Sequence, residues 1–114
     1  MSGNFTPILT LPVLATGVIV AELFVNTAGA QATAQSNTFG VARAAAAVGG
    51  ICPVDALGTA IVVAGAAIAA GSLIETDAAG RAVTRTTGPI VARMAPGEVA
   101  LALGNRIEVF LIPN

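Results

Sequence analysis

Apolar residues in this chain come in short clusters broken by Gly, Pro and small polar residues, and no long stripe recurs at helical spacing. The cluster "VIVAELFV" at 18–25 is rich in β-branched residues, contains an aromatic and is bounded by Gly17 and Asn26, so it predicts a strand. Residues 26–38, "NTAGAQATAQSNT", are small and polar and predict a loop. "FGVARAAAAV" begins as a strand; "RAAAAV" favours a helical turn, which Gly49, Gly50 and Pro53 cut short. Residues 71–85 read as a hairpin around a loop from Asp77 to Gly80, with Thr76 opposite Arg81 and Ile74 opposite Val83. Gly88-Pro89 marks another turn. "PIVARM" and "RIEVFLI" predict further strands, and in the latter Ile107, Val109 and Leu111 share one face while Arg106, Glu108 and Phe110 share the other. Short strands with Gly/Pro-marked turns indicate a mostly β chain: a small single-domain β-barrel or sandwich.

Two charge-free stretches need separate attention. The first is "ALGTAIVVAGAAIAAGSLI" at 56–74, about the length of a membrane-spanning helix. Its flanks argue otherwise: Asp55 and Glu75 bound it, with no Lys or Arg beside either end and no Trp or Tyr belt. It reads as two short strands joined by a turn, and no membrane partner is expected. The second is residues 1–21. A secretory signal needs a basic start, yet the first basic residue is Arg43, and Pro7 and Pro12 break the apolar run. Residues 1–16 instead predict an extended arm, ahead of a β-rich domain over 17–114. Its apolar side chains Ile8, Leu9, Leu11, Val13 and Leu14 need a surface to cover them. The arm is either the first edge strand of its own domain or a clasp on a neighbouring subunit.

A short internal echo adds a facing prediction. "VAR" occurs at 41–43 and 91–93, and "ALGTAIVV" at 56–63 parallels "ALGNRIEV" at 102–109. The echo places Ile61 and Val63 inward with Ile107 and Val109. Ala60 and Val62 then form an apolar outer face, suited to a partner.

Composition narrows the function. The chain has 114 residues and is 55% hydrophobic but only 4% aromatic, with Ala supplying much of the apolar count. An Ala side chain contributes roughly 0.8 kcal/mol on burial. Such a core is thin, and small domains of this kind are often completed by oligomerisation or docking. There are five Arg and six acids, and Lys, His, Trp and Tyr are absent. No basic cluster exists to hold a nucleic acid. Without Trp or Tyr a stacking platform for sugars is disfavoured.

The chemistry of catalysis is also missing. There is no His for acid–base work and no partner for Cys52, which reads as a small buried hydrophobe. One Cys and no His cannot make a zinc site, and "ETD" at 75–77 is too sparse for calcium. The Glu75/Asp77 pair reads as solvated hairpin-tip residues. No catalytic, cofactor-binding or metal-binding residue is predicted, and the chain is expected not to be an enzyme.

The text "GVARAAAAVGGICPVDALGTAIVVAGAAIAAGSLIETDAAGRAV", followed by "GPIVARMAPGEVALALGNRIEVFLI", resembles the small bacteriophage head proteins that decorate or cement capsids. The resemblance covers roughly two-thirds of the chain, from about Val41 on, and leaves out the N-terminal arm. It implies a decoration domain that self-associates, as a trimer rather than a dimer, after synthesis in the host cytoplasm. It further implies binding to the outer surface of an icosahedral shell, cementing neighbouring copies of the major capsid protein. The other reading is a small non-enzymatic β-domain that binds a carbohydrate or protein ligand on a phage or cell surface. The interaction residues expected from the sequence are Ile8, Leu9, Leu11, Val13, Leu14, Ala60 and Val62.

Overall fold

The computed structural model describes residues 6–114. Eight strands form one antiparallel sheet: β1 (Pro7–Leu14), β2 (Phe24–Asn26), β3 (Thr38–Ala42), β4 (Ile51–Val63), β5 (Leu73–Thr76), β6 (Ala82–Thr84), β7 (Ala92–Met94) and β8 (Arg106–Leu111). The strand order is β2-β3-β4-β8-β7-β5-β6, with β1 added to β4 off this path. The sheet curls until its ends nearly meet. Gly65 N donates to Ala82 O at 2.7 Å beside β6, and Phe24 N donates to Gly80 O at 2.8 Å beside β2. The result is a nearly closed small β-barrel.

β4 organises the molecule. Its first half pairs with β1 and β3, and its second half, Thr59–Val63, pairs with β8. Between the halves stands Gly58, whose φ of 92° lies in the left-handed region and whose Cα abuts the Thr6 carbonyl. Any side chain there would meet that backbone as well as the conformational penalty. Gly40 serves similarly where β3 passes against the Asp55 carbonyl.

Two clusters fill the interior. The larger includes Phe24, Val62, Ile68, Ile74, Ile107 and Val109. The smaller, under β1, holds Ala15, Ile19, Val25, Ala42, Cys52 and Val54, with Val13 packed against it. Cys52 is fully buried, as a small hydrophobe should be, and burial pushes its thiol pKa up, outweighing a backbone hydrogen bond with Ala44.

Several predicted elements need correction. Residues 18–23 are not a strand: Ile19 makes one isolated bridge to Ala46, and regular pairing starts only at Phe24. That bridge also replaces the helical turn expected at "RAAAAV", since tertiary pairing outweighs Ala propensity. The hairpin is shifted by one residue. Thr76 faces Ala82 and Ile74 faces Thr84, because Asp77 ties the longer loop together. Its Oδ1 accepts from Ala79 N and Arg81 N, both at 2.8 Å, and its Oδ2 accepts from Arg81 Nε at 2.9 Å.

The facing of β4 is reversed. Val62 pairs with Ile107 and Ala60 with Val109, so these four side chains share the barrel interior. Ala60 and Val62 are both fully buried. They therefore present no surface to a partner. Ile61 is buried on the other face, and Val63 is half-buried. On β8 the predicted alternation stands: Ile107, Val109 and Leu111 are buried, while Arg106 and Phe110 are exposed.

Candidate interaction surface

β1 lies on its own domain, paired antiparallel to the first half of β4. A buried carboxylate fixes it there. Asp55, opposite Thr10 on one side and Val41 on the other, accepts from Thr10 Oγ1 at 2.8 Å and pairs with Arg43 at 3.0 Å. Three neighbouring segments thus converge on one charge, which is how a buried carboxylate avoids its desolvation cost. Val13 and Leu11 are half-buried, but Ile8 is 76% exposed and Leu14 58%. Pairing within the domain satisfies the backbone groups of this segment that face β4 and leaves much of its apolar surface uncovered.

That surface continues into a second segment. Leu14 is the register partner of Ile51, itself 62% exposed. Ala15 N donates to Gly50 O at 2.9 Å, Gly49 N to Ala15 O at 2.8 Å, and Ile19 N to Ala46 O at 2.9 Å. Residues 14–20 and 44–51 therefore lie side by side. Both are free of charge along their whole length, and they expose Leu14, Val18, Val20, Val48 and Ile51. Exposed apolar surface gathered in this way is the candidate contact site of the molecule. Beside it, Leu9, Leu11, Phe39, Leu57 and Pro113 line a shallow groove.

Sequence reasoning found Leu14 but missed Val18, Val20, Val48 and Ile51. Val18 and Val20 were assigned to a strand, and Val48 to a helical turn. The available signal was charge: the two segments that meet here lie in the uncharged stretches 1–21 and 44–54.

The opposite end of β4 differs. Val63 pairs with Arg106, and the adjacent loop exposes Val99, Leu101 and Leu103. Arg106 grips Glu22 through two bonds, Nε to Oε1 at 2.8 Å and Nη2 to Oε2 at 2.6 Å, and this pairing raises the guanidinium pKa.

Another acid, Glu75, has a structural duty. Glu75 is buried, not at a solvated tip. It accepts from Gly88 N at 2.8 Å and from Thr86 N and Thr86 Oγ1, each at 3.1 Å. Burial alone pushes its pKa up, but these donors outweigh it and hold the carboxyl below its ordinary value. Glu75 thus shapes the turn at 86–88. Among the described residues, no three His, Cys, Asp or Glu side chains gather where a metal ion could bind. No helix of the described residues is long and apolar enough to cross a membrane; the 56–74 run becomes the second half of β4, a turn and the start of β5.

Among the described residues the barrel gathers no metal-binding set of side chains, and its charge-free segments 14–20 and 44–51 expose five large apolar side chains. Comparison with known families gives this barrel its class. Residues 4–103 match the phage cement protein family, and the chain belongs to it. The match takes in the N-terminal arm, beyond the segment that carried the sequence resemblance. Among solved structures, the head fiber gp8.5 N base of bacteriophage phi29 has the same fold. It superposes with a TM-score of 0.72 at 19% identity, covering 91% of this chain and 93% of that one. No curated protein matches the chain. The protein is a phage capsid-associated structural protein.

Proposed function

We propose that the protein binds the outer surface of an assembled icosahedral phage capsid and cements neighbouring major capsid proteins, with the charge-free end as its docking surface. Membership of the cement family carries this reading. The surface distribution supports the choice of end. Leu14, Val18, Val20, Val48 and Ile51 lie where no charge has to be stripped of water on contact. The exposed side chains of β1, Ile8 above all, extend the same surface toward a neighbouring subunit. Self-association, as a trimer, is part of this proposal. A subunit with a thin Ala-rich core gains from burying these side chains.

Co-sedimentation with capsids that lack the protein tests this. Wild type is expected to bind stoichiometrically. Ile51→Glu and Val48→Glu, at exposed positions, should weaken binding at least tenfold while the fold is kept. Leu103→Glu, at the other end of β4, should bind as wild type. Equal binding by all of these variants would reject the assignment of the docking end. Failure of the wild type to bind would reject the cement reading itself.

A further inference from the structure

We propose that β1 is a proline-blunted edge, built to stop copies of this chain from joining strand to strand. Among the described residues, β1 is the open edge of the sheet. The ends of the main path are occupied, since β2 is flanked by Gly80 and Ala32, and β6 by Gly65. An open edge of eight residues is a template for another strand, and proteins that meet at high local density must neutralise it.

The register shows how this is done. Pro12 lies directly opposite Pro53. A ladder position with proline on both strands cannot be a hydrogen-bonded one, because neither residue has an N–H. Both must turn their backbone polar groups away from each other. Pro53 turns toward β3, where its carbonyl accepts from Arg43 N at 2.9 Å. Pro12 therefore turns toward the free edge. The same holds at the start of the strand: Thr59 N donates to Thr6 O at 3.0 Å, so Thr6 faces β4 and the next residue, Pro7, faces out. At the other end Ala15 N bonds inward to Gly50 O, so Leu14 faces out.

The outward positions thus include Pro7, Thr10, Pro12 and Leu14, and both prolines of the strand fall in this set. Wherever an incoming strand seeks an N–H at 7 or 12 it finds a ring carbon. The last position is obstructed as well. Gly29 sits so close to the Leu14 carbonyl that a Cβ would come within 2.7 Å of it, and Thr16 N donates to Gly29 O at 3.0 Å. Thr10 is left as an isolated donor between two prolines. A continuous ladder cannot form, and contacts made by β1 with other molecules run through its side chains. This inference does not depend on what the protein binds.

The test uses two chemically identical changes on opposite sides of the same sheet. Pro12→Val restores a donor on the free edge. Pro53→Val restores one that points at β3. Light-scattering mass is measured across a concentration series, together with hydrogen exchange at Thr10. Pro12→Val should form species larger than wild type at tenfold lower concentration or less, with new protection at the Thr10 amide. Pro53→Val should keep the wild-type mass. Pro7→Val provides a second edge variant, expected to act in the same direction. If the edge variants are folded and keep the wild-type mass, or if Pro53→Val associates as strongly, the proposal is wrong.

Discussion

The reversed facing of β4 gives a sharp test at Val62. The side chain is fully buried in the larger core and paired with Ile107. Val62→Ala removes two carbons, a transfer loss of about 1.6 kcal/mol at roughly 0.8 per methylene. A residual cavity of about 50 Å³ adds about 1 kcal/mol at roughly 24 cal/mol per Å³. The expected destabilisation is about 2–3 kcal/mol. Val63→Ala makes the same chemical change on the half-buried face, where solvent fills the space, and should cost less than about 1 kcal/mol. Urea unfolding followed by far-UV circular dichroism, at one fixed protomer concentration, measures both. With an m-value of roughly 1–1.5 kcal/mol/M, Val62→Ala should lower the midpoint by about 2 M. A larger loss for Val63→Ala than for Val62→Ala would overturn the assignment of the barrel interior.

Two more outcomes follow from buried features. Glu75 has a folded pKa below its unfolded value, so its contribution is fully present above the unfolded pKa and lost as pH falls through the folded one. Unfolding midpoints taken from pH 6 down to pH 2 should fall for wild type below about pH 4, the reference carboxylate range. Glu75→Gln should be less stable at pH 6, by about 1–3 kcal/mol, and flatter across that range; a parallel profile would remove Glu75 as the cause. Gly58→Ala should cost at least about 1–3 kcal/mol through its positive φ and the Thr6 carbonyl, and should speed proteolysis within β1; unchanged stability would mean β4 does not need its bend.

The parts of the fold legible in the sequence were those with contrast between faces. Residues 106–111 alternate charge with aliphatics, and their facing follows directly. β3 and β7 were visible as short apolar clusters beside turn residues. β4 was harder, because Ala60, Ile61 and Val62 are all buried and a strand apolar on both faces carries no parity signal. The echo between 56–63 and 102–109 supplied a parity, and it was the wrong one: antiparallel pairing, not repetition, relates the two strands. The first half of β4 was hidden by Gly49, Gly50 and Pro53. They read as a stop, yet Pro53 is tolerated because its missing donor faces the point where β3 ends. In the candidate contact surface, Leu14 was legible as an apolar side chain in a Pro-marked arm. Val18, Val20, Val48 and Ile51 were not, since only the pairing of 14–20 with 44–51 brings them together.

The continuity of β4 has a mechanical consequence. One unbroken strand runs from Ile51, at the charge-free end, to Val63, beside the far loop. Interstrand hydrogen bonds lie perpendicular to the strands they join. A pull between the two ends runs along the covalent backbone of β4 and strains its bonds to β1 and β8 sideways and all together, rather than opening them one at a time. Tension applied in this direction meets the barrel in shear, the geometry in which a sheet resists rupture best.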